Sequence, residues 1–285
     1  MKIFVAENSG FCFGVKKAIN KTMEAINEQY KKIYTYGPLI HNKQETDRLS
    51  KLGVKSIDNL EEAKDSQVII RSHGVPLRFY EDAKKYNVEI IDATCPFVRK
   101  VQKIAKKFYE EDYQIIIAGN PRHPEVIGIN GWCNNSAFIV EDEKDVEKLP
   151  ISKKICLVAQ TTLTLEKWNL IINKLEEKTN ELRAFNTICL ATKERQKSCA
   201  ETAKKVDLMI VIGGYHSSNT QKLYNISKKY CEKTIHIETA EELPLKDFHK
   251  FNAIGITAGA STPDWIINNV IKKLEDKGGD QDGKQ

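Results

Sequence analysis

Apolar and polar positions along this chain alternate between two periods, and the alternation recurs three times. In SGFCFGVKKAINKTMEAI, small or apolar residues fall at 15, 18, 19, 22 and 26; in DATCPFVRKVQKIAKKFY they fall at 98, 101, 105 and 108. Each set lies on one face of a helix. A third segment, NTICLATKERQKSCAETAKK, carries a weaker stripe at Cys199, Ala203 and Val206. After each predicted helix comes a short apolar run that ends in a polar, glycine-containing loop: IYTYGPLIHN, QIIIAGNPRHPE and LMIVIGGYHSSN. A second run and loop follow in each case, VIIRSHGV, ICLVAQTTL and AIGITAGAS. Short apolar runs between helical stretches predict βαβ units with parallel strands.

The spacing is regular enough to define an internal repeat. Cys12, Cys95 and Cys189 open the three predicted helices, and Gly37, Gly119 and Gly213 follow them by 25, 24 and 24 residues. His41, His123 and Ser217 follow by 29, 28 and 28, while the second loops carry His73, Thr161 and Ser261. The predicted fold is therefore α/β: three similar α/β units, with mainly parallel sheets, in a pseudo-threefold (trefoil) arrangement around a central cluster. Ligands of open α/β sheets bind at the carboxyl ends of the strands, where all of these loops would lie. The units are predicted at 1–96 with Cys12, 97–191 with Cys95 and 192–277, with Cys189 at the entry of the third. The polar, glycine-rich tail 278–285 is expected to be disordered.

Composition narrows the chemistry. Hydrophobic residues make up 41% and charged residues 29%, as in ordinary globular proteins. The net charge of +5 comes from lysines scattered along helix faces, which argues against a nucleic-acid partner and leaves a mild field suited to a small anion. No run approaches the roughly 20 apolar residues of a membrane span, and MKIFVAENSG is too short in apolar residues for a signal peptide, so a cytoplasmic protein with no membrane contact is expected. Seven cysteines without a C-x-x-C pair disfavour a disulfide framework and a structural zinc site. What remains is free thiols, a redox pair or an iron–sulfur cluster.

Three cysteines at equivalent positions, each at a helix N-terminus, suit a cluster, because the positive end of a helix stabilises thiolate and sulfide. Three protein ligands on a four-iron cluster would leave one iron open. Cys133, Cys156, Cys199 and Cys231 lack this equivalence and are expected in the core or at the surface. His41, His73, His123, Ser217, Ser218, Asn219, Thr161, Thr162 and Ser261 form a donor-rich set of the kind a phosphate or diphosphate needs. Glu125, in HPE, is the one carboxylate in these loops. An anionic ligand beside it would favour its protonated form, which suits a proton donor that Thr161 could relay or position.

Taken together and in order, GFCFGVKKAI, YGPLIHN, RSHGV, DATCPFV, HPEVIG, QTTL, NTICLAT, RQ, SSNT and TAGAST resemble the 4-hydroxy-3-methylbut-2-enyl diphosphate reductase family over about residues 1 to 275. The resemblance implies a 4Fe–4S cluster on Cys12, Cys95 and Cys189, with one open iron. It implies diphosphate binding by His41, His73, His123, Ser217, Ser218, Asn219 and Ser261, proton delivery by Glu125, and Thr161 near the substrate hydroxyl. The implied reaction is reductive dehydroxylation of (E)-4-hydroxy-3-methylbut-2-enyl diphosphate to isopentenyl and dimethylallyl diphosphates, the last step of the methylerythritol phosphate route to isoprenoids, with ferredoxin or flavodoxin as electron donor. Tyr215–His216 departs from the lysine–asparagine often found before SSN in that family. Quinolinate synthase shares the three-unit plan, but the HPE, QTTL and SSN loops suit a diphosphate better than a dicarboxylate. A redox sensor or RNA-associated module would need a basic face and would have no use for Glu125.

Overall fold

The computed structural model describes residues 1–28, 31–244 and 248–279. The chain opens with β1 (Lys2–Val5) and α1 (Phe13–Glu28), followed by β2 (Ile33–Tyr36), α2 (Lys43–Lys51), β3 (Lys55–Ile57), β4 (Gln67–Ile70), α3 (Arg78–Lys85) and β5 (Glu89–Asp92). Next come α4 (Pro96–Glu110), β6 (Gln114–Ala118), α5 (Pro124–Asn130), β7 (Phe138–Val140), α6 (Glu143–Glu147), β8 (Ser152–Ala159), α7 (Leu165–Leu175) and β9 (Thr179–Phe185). The last stretch runs through α8 (Leu190–Ala203), β10 (Leu208–Ile212), α9 (Ser218–Tyr230), β11 (Thr234–Ile237), β12 (Ala253–Ala258) and α10 (Asp264–Gly279).

The strands form three four-stranded sheets, ordered β3-β2-β4-β5, β7-β6-β8-β9 and β1-β12-β10-β11. Every recorded pairing is parallel. The α/β class and its three-sheet repeat, expected from the sequence, are what the chain adopts. Central strands read as nearly continuous apolar runs because both of their faces are covered: β10, and β4 with Gln67 at its start, are buried along their whole length.

One pairing runs against the predicted division at residue 96. The same strand order is obeyed three times only because β1 pairs with β12, Lys2 opposite Ala253 and Val5 opposite Ile256, and supplies the fourth strand of the last sheet. The N-terminal strand therefore completes the sheet built from the C-terminal part of the chain.

Two compact units result. One comprises Met1–Val15, Ile40–Thr46 and Leu190–Gln285, and the other Lys16–Leu39 and Asp47–Cys189. The first contains the sheet of β1, β10, β11 and β12, with a core that includes Ile210, Ile212, Ile256, Ile266 and Val270. The second contains the other two sheets, with separate cores around Ile116, Leu157 and Trp168, around Ile115, Ile117 and Val158, and around Val68, Ile70 and Phe79. The tail expected to be disordered from 278 begins inside α10, which runs to Gly279; 280–285 lie outside the described residues.

The weak apolar stripe of the third predicted helix has a physical cause. α8 buries Thr192, Arg195 and Ser198 beside Cys199 and Ala203, so much of its inward face is polar. Arg195 is 3% exposed and donates from Nε to the Asn8 carbonyl (2.6 Å) and from a terminal nitrogen to the Gly10 carbonyl (2.7 Å). Ser198 donates to the Glu7 carbonyl at 2.5 Å.

Candidate active site

Each of the three repeat cysteines follows the last strand of a sheet: Cys12 follows β1, Cys95 follows β5 and Cys189 follows β9. Each is also fixed by the same hydrogen bond. The Cys12 amide donates to Ala260 O (3.0 Å), that of Cys95 to Ser72 O (3.0 Å) and that of Cys189 to Thr161 O (2.9 Å). The acceptors sit in the loops after β12, β4 and β8, so every cysteine is anchored to the polar loop beside it in its own sheet.

None of the seven cysteines is in a disulfide, and of the seven these three alone are partly exposed. Burial pushes the Cys156 thiol up to about 12 and that of Cys133 to about 11, and it also raises Cys199 and Cys231. The four non-equivalent cysteines are core thiols, as expected. Three accessible thiols at equivalent helix starts are a donor set that an iron–sulfur cluster accepts.

In the two-sheet unit, His73 and His123 meet edge to face with ring centroids 5.3 Å apart. His123 caps α5, its Nδ1 accepting the Glu125 amide at 3.2 Å, which places the neutral ring's proton on Nε2. Glu125 is 1% exposed. Its two oxygens accept from one residue, the Thr161 amide at 2.6 Å and the Thr161 hydroxyl at 2.8 Å. Gln160 holds the same corner, accepting from the Asn120 amide (3.1 Å) and donating to the Thr162 hydroxyl (3.1 Å). A Cβ at Gly119 would lie 2.7 Å from Gln160 Cβ, which explains the glycine there.

In the other unit, Ser217 caps α9 by accepting from the Thr220 amide. Ser218 opens the helix and Asn219 follows it, 5% exposed. Among the described residues, neither amide atom of Asn219 has a hydrogen-bond partner. Leaving a buried polar group unpaired costs about 1–3 kcal/mol, and this amide has both its donor and its acceptor available to a polar group that would offset that cost. Ser261 donates to the His41 carbonyl at 3.0 Å, and Gly214 packs on the same oxygen, where a Cβ would come within 2.6 Å. Gly213, at φ +144°, makes the turn before it.

Sequence reasoning missed how this last loop is held. The Tyr215 amide donates to Glu238 (2.8 Å) and its hydroxyl donates to Glu242. The Tyr215 ring lies 4.6 Å from that of His236, which itself bonds the Gly213 carbonyl at 2.7 Å. Burial, with Glu242 as acceptor, pushes the Tyr215 phenol up to about 12, so it stays a neutral donor. Tyr215 thus has a local purpose: it ties the serine loop to the end of β11. Ser198 was likewise missed as a residue that fixes the turn before Cys12, and Arg195, visible in the RQ motif, was given no such role.

The fold and site define a parallel α/β protein with three sheet-end cysteines, a buried carboxylate and a histidine- and serine-rich set of loops. A model of the LytB protein family matches residues 3–275. The 4-hydroxy-3-methylbut-2-enyl diphosphate reductase of Alkaliphilus oremlandii is 50% identical over 276 residues, covering 96% of this chain and 99% of its own length. A solved structure of (E)-4-hydroxy-3-methyl-but-2-enyl diphosphate reductase, described as the terminal enzyme of the non-mevalonate pathway, superposes with a TM-score of 0.73 at 42% identity, over 97% of this chain and 100% of that one. The Plasmodium falciparum E-1-hydroxy-2-methyl-but-2-enyl-4-diphosphate reductase gives a TM-score of 0.89 at 33% identity, over 95% and 87%. The chain belongs to the LytB family of reductases and is an enzyme of the oxidoreductase class. Among the described residues no helix is long and apolar enough to cross a membrane.

Proposed function

We propose that this chain removes the allylic hydroxyl of (E)-4-hydroxy-3-methylbut-2-enyl diphosphate, using two electrons and two protons. The C–O bond breaks, the oxygen leaves as water with one proton, and the second proton forms a C–H bond at either end of the allyl unit. Two products, isopentenyl and dimethylallyl diphosphate, follow from that choice. The observation that carries the proposal is the Glu125–Thr161 pair, a buried acid and hydroxyl 2.8 Å apart, in a chain whose relatives are named for this substrate.

Cys12, Cys95 and Cys189 would hold a 4Fe–4S cluster. When bound, the cluster supplies the electrons and, at the iron that no protein residue ligates, a Lewis-acid seat for the substrate hydroxyl. His41, His73 and His123, with Ser217, Ser218, Asn219 and Ser261, hold the diphosphate through charge-assisted hydrogen bonds. Fixing that end orients the C–O bond before reaction. Glu125 in its protonated form donates to the Thr161 hydroxyl, which turns to pass its own proton toward the leaving oxygen. The dry setting of Glu125 keeps bulk water from competing for that proton.

Glu125→Gln separates binding from chemistry. Calorimetry is expected to show diphosphate affinity within about threefold of the parent, while turnover under reduced viologen falls about 100-fold or more. A fully active Glu125→Gln enzyme would remove Glu125 from the reaction.

A further inference from the structure

The basic stripe along α4 has no role in the chemistry above. Three helices of this chain start at a repeat cysteine, and their charge patterns differ. α1 balances Lys16, Lys17 and Lys21 with Glu24 and Glu28. α8 alternates Lys193, Glu194, Lys197 and Glu201, with Lys197 3.9 Å from Glu201, and buries Arg195. α4 instead carries Arg99, Lys100, Lys103, Lys106 and Lys107 before its first acid, Glu110.

Pro96, Lys100, Lys103 and Lys107 are all exposed, and a spacing of four, three and four residues puts them on one stripe. Together with Arg99 and Ile104 they line a shallow groove of about 490 Å³. Arg99 is neutralised by Asp92, and Lys107 lies 3.8 Å from Glu111. Lys100 and Lys103 have no ion pair among the described residues. Like charges three residues apart destabilise a helix, and Lys100 and Lys103 stand in that relation without a counter-charge among the described residues. Phe97, 45% exposed, lies beside it. At 1.5 Å per residue, Lys100 and Lys103 stand only about 7 and 12 Å along the axis from Cys95.

We infer that this face of α4 docks a small acidic one-electron carrier protein, the inference resting on the reduction proposed above. Each docking event moves one electron from the reduced carrier, which is oxidised, to the enzyme, which is reduced; two events supply one turnover. Electron transfer weakens steeply with distance, so a donor is best seated on the helix that begins at a cluster ligand. A basic stripe facing an acidic partner speeds encounter and makes it sensitive to salt.

The test compares two electron sources on the holoenzyme. In Lys100→Glu/Lys103→Glu, turnover with reduced viologen is expected within twofold of the parent, whereas the KM for reduced ferredoxin rises about tenfold at low salt and loses its salt dependence. Lys228→Glu/Lys229→Glu on α9, with the same change in net charge, is expected to leave the ferredoxin KM within twofold. An unchanged ferredoxin KM in the α4 variant overturns the inference, as does an equal rise in the α9 variant. Salt-sensitive capture of an RNA oligonucleotide by α4 in place of ferredoxin binding also overturns it. If the unmodified holoenzyme shows no substrate-dependent viologen oxidation, the reduction reading itself fails, and that outcome is distinct because it does not depend on the carrier.

Discussion

Burial sorts the seven cysteines more sharply than their sequence context does. Cys133, Cys156 and Cys199 are wholly inside, and Cys231 nearly so, while Cys12, Cys95 and Cys189 reach the surface. A thiol held near 12, such as Cys156, has almost no thiolate at pH 8 and reacts only where the pH approaches that value or the fold opens. Alkylation of the folded apoprotein at pH 8, followed by peptide mass mapping, is expected to label Cys12, Cys95 and Cys189 first. The other four should follow only with denaturant. Early labelling of Cys156 would contradict the packing of β6 against β8. The same scale explains Arg195. Arg195→Met would leave the buried Gly10 carbonyl unpaired at about 1–3 kcal/mol, remove the bond to the carbonyl of exposed Asn8, and loosen the turn before Cys12. Iron content after reconstitution is expected to drop below half that of the parent while Arg195→Lys recovers part of it; equal iron in all three would contradict a positioning role.

At the scale of elements, the helix starts and the two inner strands of each sheet were legible because a cysteine, a glycine and a polar tip recur at nearly constant spacing. The remaining strands were not. β3, β7 and β11 are three or four residues long and carry no strong period. The placement of β1 was hidden for another reason: its partner lies about 250 residues away, and no local pattern encodes a pairing that distant. Legibility of the site follows the same line. The histidines, Glu125 and the serines stood out as polar residues just beyond apolar strands, whereas Gln160, Arg195, Glu238 and Glu242 act through contacts that the fold creates. Gly119 marks one such contact. In Gly119→Ala, the new Cβ would displace Gln160 and break its bond to the Asn120 amide. Overpacking of this kind costs about 1–3 kcal/mol. A lower Tm together with a lower kcat is expected; unchanged values would show that Gln160 has room to move.

Over the whole molecule, three sheets of one topology each place a cysteine beyond the last strand and a polar loop beyond its inner neighbour. A single plan repeated three times, with the N-terminal strand closing the third copy, supplies three thiols from chain positions almost 180 residues apart. The most direct test of the account is anaerobic purification with iron and sulfide analysis, followed by turnover of the hydroxylated diphosphate under reduced viologen. The account predicts a brown protein with about four irons and four sulfides per chain and substrate-dependent viologen oxidation. A colourless protein that iron and sulfide cannot reconstitute would contradict it, and would leave Cys12, Cys95 and Cys189 as ordinary thiols.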